Sequence, residues 1–191
     1  MKIEKGKPGY LKAQRDKLLI QTLIEFGIVI ALLVIGYVQT GTKLNLLTLV
    51  AILGCLPASK ALVELITIFP YKTIDSDKAS EIEEKAPLLT TVYDMVLTSR
   101  EKIMPVDALA ISGGTICGYS KSKKIKPEET AGYIKKLLSE NKYSKVTVKI
   151  FPDYIAFLSR AEGMNSIAEI EQDDTRKKEA IIRKIILSSS M

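Results

Sequence analysis

Few side chains in this sequence could do chemistry, and the commonest catalytic one is missing: none of the 191 residues is histidine. Imidazole acid/base catalysis, Ser-His or Cys-His nucleophiles and His-ligated zinc are therefore excluded. Cys55 and Cys117 are too few for a disulfide scaffold, and Cys117, with no base beside it in sequence, reads as a buried structural thiol. Four groups remain. Lys121, Lys123, Lys124 and Lys126 form a basic loop that could meet an anionic ligand, although without interleaved arginine or aromatic residues it also reads as a solvated turn. Ser112, Gly113 and Gly114 have the composition of a phosphate loop but lack the GxxxxGK[ST] pattern, so they read as a turn between strands. Asp107 opens one of those strands. Glu25, Lys60 and Glu64 are ionisable residues in an otherwise apolar region, where an unpaired charge costs about 2.5 to 3.5 kcal/mol on membrane-insertion scales.

The elements that carry these residues are set out by the distribution of charge. A uniform spread would put about 14 of the 50 charged residues into positions 18–71, and only Glu25, Lys43, Lys60 and Glu64 are there. Two apolar stretches, Leu18 to Val38 and Leu44 to Phe69, flank the short polar run from Gln39 to Lys43. The first is long enough, at roughly 31 Å as a helix, to cross the hydrocarbon core of a bilayer. Phe26 to Val38 has no polar face, which a core helix of a small soluble protein would keep. A transmembrane helical hairpin is expected over 18–71, with spans of about 18–38 and 44–69. Tyr37, Phe69 and Tyr71 fall where aromatic rings favour the headgroup region.

Orientation follows from the flanking cations. Residues 1–17 form a basic segment with Lys2, Lys5, Lys7, Lys12, Arg15 and Lys17 against Glu4 and Asp16, whereas the connecting loop offers only Lys43. Both termini are expected in the cytoplasm, with the protein in the cell membrane as a two-span anchor. The long apolar run and the lack of a small-x-small site argue against a cleaved signal peptide.

In an antiparallel pair turning near residues 41 and 42, positions of equal depth add to about 83. Glu25 then lies level with Ala58 and within a turn of Lys60, which could also reach Glu64 four residues on. An intramembrane Glu25, Lys60, Glu64 cluster is expected, serving as a packing clasp or as an ion or proton site. Gly27 and Ala31 face the small residues Ala51, Gly54, Cys55 and Ala58, which would let the backbones approach closely. Pro57 should kink the second helix, with Ser59 or Thr48 satisfying freed backbone groups.

Residues 72–191 carry 20 Lys+Arg and 18 Asp+Glu, so this part is not a polycation. It reads as a small cytoplasmic α/β (α+β) domain with a mainly four-stranded sheet. A helix capped by Asp75, Ser76 or Asp77 runs to Lys85, a strand covers Leu89 to Ser99, and Val106 to Ile111 pairs with Thr115 to Ser120 in a hairpin. Pro127 opens a helix that reaches Asn141, and Lys145 to Phe151 alternates as a strand with one wet face. Asp153 caps a short helix through Arg160. Asp174 or Thr175 caps a last helix whose Ile181, Ile182, Ile185 and Ile186 should dock on the sheet, or alternatively lie on a membrane surface.

The order helix, strand, hairpin, helix, strand over Ser76 to Phe151 resembles the core of restriction-endonuclease-like (PD-(D/E)xK) folds. By that resemblance Asp107 stands where the family places its first metal-binding acid. The second hairpin strand, from Thr115 through Ser120 and on to Lys121 and Ser122, lacks the acid-x-Lys pair that should follow. The resemblance therefore implies at most a degenerate, non-cleaving relative, because Asp107 alone cannot assemble a magnesium site.

No metal or cofactor is implied by the residues. The expectation is a non-enzymatic protein held to the lipid bilayer, whose cytoplasmic domain binds a protein partner or forms a homo-oligomer. A nucleic-acid-binding module at the membrane and an accessory subunit of a larger membrane complex are the alternatives, with nucleic acid the less favoured partner.

Overall fold

The computed structural model describes residues 3–42, 45–99, 102–123, 125–171 and 175–191. Lys2, Lys43, Lys124 and Asp174 lie outside the described residues. Among the described residues ten elements follow in chain order: α1 (Tyr10–Thr40), α2 (Leu46–Ile68), α3 (Ser76–Lys85), β1 (Thr90–Thr98), β2 (Ile103–Ser112), β3 (Thr115–Tyr119), α4 (Pro127–Glu140), β4 (Thr147–Phe151), α5 (Tyr154–Glu171) and α6 (Arg176–Ser188). They divide into a helical hairpin, Leu11–Lys72, and a folded unit made of Met1–Tyr10 together with Thr73–Met191.

Both hairpin helices are long and apolar enough to cross a membrane, with 31 and 23 residues and mean hydropathies of 2.6 and 2.0 in their most apolar windows. Helix α1 begins at Tyr10, so Lys12, Arg15 and Lys17 belong to it and not to a separate segment. The residues each helix buries are few and regularly spaced: Leu11, Leu18, Thr22, Val29 and Gly36 on α1, and Ala51, Ala58, Ala61 and Ile68 on α2. Their three-, four- and seven-residue steps trace the narrow seam of a coiled coil rather than the broad face of a globular helix. On α2 the seam is mostly alanine, and a seam of small side chains lets two backbones come close. Gly36 shows how close. A Cβ there would lie 2.7 Å from Asn45 Oδ1 and 3.0 Å from the Cβ of Leu47, so no larger residue fits without opening the turn. Asn45 fixes that turn by accepting from Thr48 N–H at 2.8 Å and donating to the carbonyl of Thr42 at 2.9 Å.

The antiparallel depth rule holds. Gly54 faces Val29, Gly36 faces Leu47, and the Arg15 guanidinium lies 5.8 Å from the centroid of the Phe69 ring, pairs whose numbers add to 83 or 84. Helix α2 continues through Pro57. Ser59 donates to the Cys55 carbonyl at 2.6 Å, while Thr48 serves the turn instead of the proline gap.

In the folded unit a four-stranded mixed sheet has the order β1-β2-β3-β4. Its first three strands are antiparallel and β4 is parallel to β3. A parallel neighbour requires a crossover, and α4 supplies it. The sheet is covered on both faces, as a partly parallel sheet demands. On one side α3 and α5 bury Ile82, Phe157 and Ala161 against Tyr93, Ala110 and Cys117. On the other, α4 and α6 bury Ile134, Leu138, Ile182 and Ile186 against Val106, Leu109 and Ile116. The unit is thus a three-layer sandwich, with α6 docked on the sheet as one of the sequence readings has it. Ile182 and Ile186 are wholly buried, whereas Ile181 stays 45% exposed because it lies off the contact line.

Element boundaries differ from expectation chiefly at α5. Asp153 does cap it, accepting from the Ala156 N–H at 2.9 Å, but the helix runs eleven residues beyond Arg160. Burial of Ala161 and Met164 and the bond from Leu88 N–H to Asn165 at 2.9 Å give those added turns tertiary support that local spacing does not reveal. Asp75 stands at the N-cap of α3 and Thr175 at that of α6, each without a side-chain capping bond.

Both chain ends cover the outer edge of β1. Tyr93 N–H donates to the Gly6 carbonyl at 2.9 Å, Met191 N–H donates to Val96 at 3.0 Å, and Leu97 bridges Ser190. Lys5 Nζ donates to the Ser190 carbonyl, joining the two ends. At the opposite edge, β4 has no strand on its outer side among the described residues.

The seam registers can be tested directly. With Cys55 replaced by serine, the pair Val29→Cys and Gly54→Cys is expected to lose two maleimide-reactive thiols on mild oxidation. The pair Val29→Cys and Leu53→Cys should keep both, because Leu53 points away from the seam.

Candidate functional site

Within the hairpin, depth and direction separate. Glu25 is level with Ala58 as expected, but Lys60 follows Ala58 by two residues, about 200° round the helix. Ala58 is buried in the seam and Lys60 is exposed. Among the described residues no ion pair joins Glu25, Lys60 and Glu64. The partner of Glu25 Oε1 is instead Gln21 on the same helix, one turn earlier, at 2.9 Å. Glu25 Oε2, Thr22 Oγ1 and Gln14 Oε1 are buried and accept no hydrogen bond among the described residues.

The basic loop is partly committed. Lys121 pairs with Asp107, its Nζ 3.7 Å from one carboxylate oxygen and its N–H donating to the other at 2.8 Å. Lys126 pairs with Glu129 at 3.6 Å, and Lys102 joins the same carboxylate. Lys123 is exposed, and Lys124 lies outside the described residues. Lys121 and Lys126 thus turn to different carboxylates.

Asp107 is on β2 and buried. Burial pushes its carboxyl above the ordinary aspartate value, the N–H and ammonium of Lys121 pull it back, and nearby Asp94 adds to the rise. Strand β3 brings no acid beside it, and among the described residues no group of three or more Cys, Asp or Glu side chains could hold a metal ion. Cys117 is buried between the sheet and α5, and desolvation pushes its thiol up to about 12. A thiol so protonated at neutral pH is a packing group. Gly113 does form a turn: its φ of +54°, between Ser112 and Thr115, is a conformation that glycine adopts freely.

Two carboxylates that the sequence reading passed over organise the folded unit. The first is Asp94, in the middle of β1 with a φ of +54°. Its side chain is buried and fully used. Oδ2 accepts from the Gly9 N–H at 2.8 Å and from the Thr73 hydroxyl, and Oδ1 accepts from the Ile74 N–H at 2.8 Å. The left-handed residue breaks the alternation of β1, so that Tyr93 enters the α3/α5 core while Met95 and Leu97 enter the α4/α6 core. The second is Glu179 on α6. Oε1 accepts from Gly113 N–H and from the Thr175 hydroxyl, both at 2.7 Å, and Oε2 accepts from the Thr90 hydroxyl at 2.6 Å. An acid inside a strand rich in Thr, Val and Tyr, and an acid among isoleucines on a helix, are the signals that could have found them.

Comparison with family models, with curated proteins and with solved structures gives no match to this chain. The restriction-endonuclease-like resemblance therefore rests on element order, which the structure reproduces, and order alone does not carry function.

Two outcomes follow. In a Glu25→Leu and Lys60→Leu double-mutant cycle the coupling energy is expected below about 0.5 kcal/mol, since no ion pair or hydrogen bond joins the two side chains among the described residues. For Asp107 the folded-state pKa is raised, so its contribution to stability grows as pH falls through that value and is complete below the unfolded value. Thermal unfolding of the full chain in micelles should show the wild type gaining on Asp107→Asn between pH 7 and pH 4.

Proposed function

We propose that this protein is a membrane-anchored, non-enzymatic binding protein: α1 and α2 lie in the bilayer as a two-span anchor, and the folded unit, together with both termini, is held in the cytoplasm to bind a protein partner or a second copy. The observation that carries the anchor is the direction in which the hairpin's apolar side chains point. Around the narrow seam, Leu23, Val38, Leu46 and Leu56 are each at least 70% exposed, and only 17% of either apolar window is buried. A core helix of a soluble protein buries such residues. In hydrocarbon each would lose its contact with water, at about 25 cal/mol per Å² of apolar surface.

The cytoplasmic placement rests on the six cations before and early in α1, against one lysine in the turn. Binding, rather than catalysis, is supported by the site chemistry. Asp107 is tied to Lys121, Cys117 is buried and protonated, and Asp94 and Glu179 have both oxygens engaged in holding the fold. Nucleic acid is the less favoured partner because two of the loop's lysines are already paired with carboxylates.

Alkaline carbonate washing of membranes is expected to leave the protein in the pellet, and protease added outside intact cells should leave a C-terminal tag in place. Release into the supernatant would remove the anchor, and loss of the tag would reverse the orientation. Affinity purification of the full chain from mild detergent then tests binding. Recovery of one stoichiometric partner, or of two differently tagged copies together, is the expected outcome; a monomer with neither would overturn the binding reading.

A further inference from the structure

Two cations outside the basic loop face the same space. Between the β2–β3 turn, the later half of α5 and the start of α6 lies a pocket of about 310 Å³, which falls in the size range of small-molecule sites. Arg160 reaches it from α5 and Lys178 from α6, and neither joins an ion pair among the described residues. Ser112 and Thr115 line the turn side, while Met164 and Ile167 make an apolar wall on α5.

Three features set the charge and room of this space among the described residues. The nearest acid on α6, Glu179, is buried behind the pocket wall, its Oε1 accepting from Gly113 N–H and the Thr175 hydroxyl and its Oε2 from the Thr90 hydroxyl, so its hydrogen-bonding capacity is used within the fold while its charge offsets part of the two cations. Lys178 Nζ lies 3.4 Å from where a side chain on Gly114 would begin, and that side chain would also meet the Lys145 carbonyl at 3.1 Å. Glycine at 114 thus leaves room for the ammonium at the turn. The thirteen-residue helix α6 also starts here, adding the positive end of its dipole to the two formal charges.

We propose that this pocket binds a phosphate monoester, with Arg160 and Lys178 on the phosphate and the Met164 and Ile167 wall against the organic portion. Two cations on separate elements match a dianion. The guanidinium offers a forked pair of donors and the ammonium a point charge, the combination that phosphate recognition uses. The adjoining apolar wall gives a carbon-bearing ester a contact that inorganic phosphate cannot make. The ester can come from a soluble phosphorylated metabolite or from a lipid headgroup, and the chemistry of the pocket is the same for both. The proposal does not depend on the bilayer reading, because every lining residue belongs to the folded unit.

The test uses the full chain in dodecyl maltoside, which carries no phosphate, with titration calorimetry against adenosine monophosphate, inorganic phosphate and dioctanoyl phosphatidic acid. At least one of the two esters should bind saturably and more tightly than inorganic phosphate. Binding of the nucleotide assigns a soluble source, and binding of phosphatidic acid alone assigns a lipid. Arg160→Met and Lys178→Met should each weaken binding at least tenfold with the thermal midpoint unchanged, Arg160→Lys should restore part of it, and Lys135→Met on α4 should have no effect. Absence of saturable binding by both esters, or undiminished affinity in the Arg160→Met, Lys178→Met double variant, would overturn the proposal.

Discussion

Within the folded unit a single buried carboxylate ties together the segments that precede and follow the hairpin in sequence. Asp94 receives Gly9, just before α1 begins, and Thr73 and Ile74, just after the hairpin's last residue, on its two oxygens. Hydrogen bonds to an ionised acceptor are each worth roughly 1.5 to 3 kcal/mol, and removing the acceptor would leave buried donors unsatisfied. The left-handed backbone at Asp94 costs energy of its own, and that cost is tolerable because three donors fix the side chain. The same residue shifts β1 from one face of the sheet to the other, so the clamp and the division of the two cores have a common origin.

The hairpin is organised by the opposite kind of contact, one with almost no polar content. Alanine and glycine on α2 make the seam shallow enough for two backbones to lie side by side, and the large apolar residues are left to point outward. In water that arrangement exposes a large apolar surface; in hydrocarbon the same surface is solvated and only close packing is needed to join the helices. Thr22 and Glu25 bring polar atoms to α1's side of the hairpin: Thr22 Oγ1 and one Glu25 oxygen have no partner among the described residues, and the other Glu25 oxygen is held by Gln21.

Much of the fold was legible because it depends on local pattern. The charge gap from 18 to 71 marked the hairpin, Pro127 marked α4, the alternation of Val146, Val148 and Ile150 marked β4, and Gly113 marked the β2–β3 turn. Depth along the hairpin could also be read, since counting from the turn fixes it. Direction round the helix could not be fixed by counting from the turn, and this is why Lys60 does not meet Glu25. The later turns of α5, the clamp at Asp94 and the meeting of Arg160 with Lys178 depend on contacts between residues far apart in sequence, for which periodicity carries no signal. The lysine loop shows the converse: Lys121 and Lys126, neighbours in sequence, turn to different carboxylates once folded.

The unequal treatment of the sheet's two sides limits how copies of this chain could join. With Gly6, Ser190 and Met191 bonded along β1, β4 is the edge that, among the described residues, offers unpaired backbone to another molecule. Association along that margin would consume it on both copies at once, giving a closed pair with no template for a third, whereas a sheet bare on both sides could grow without end.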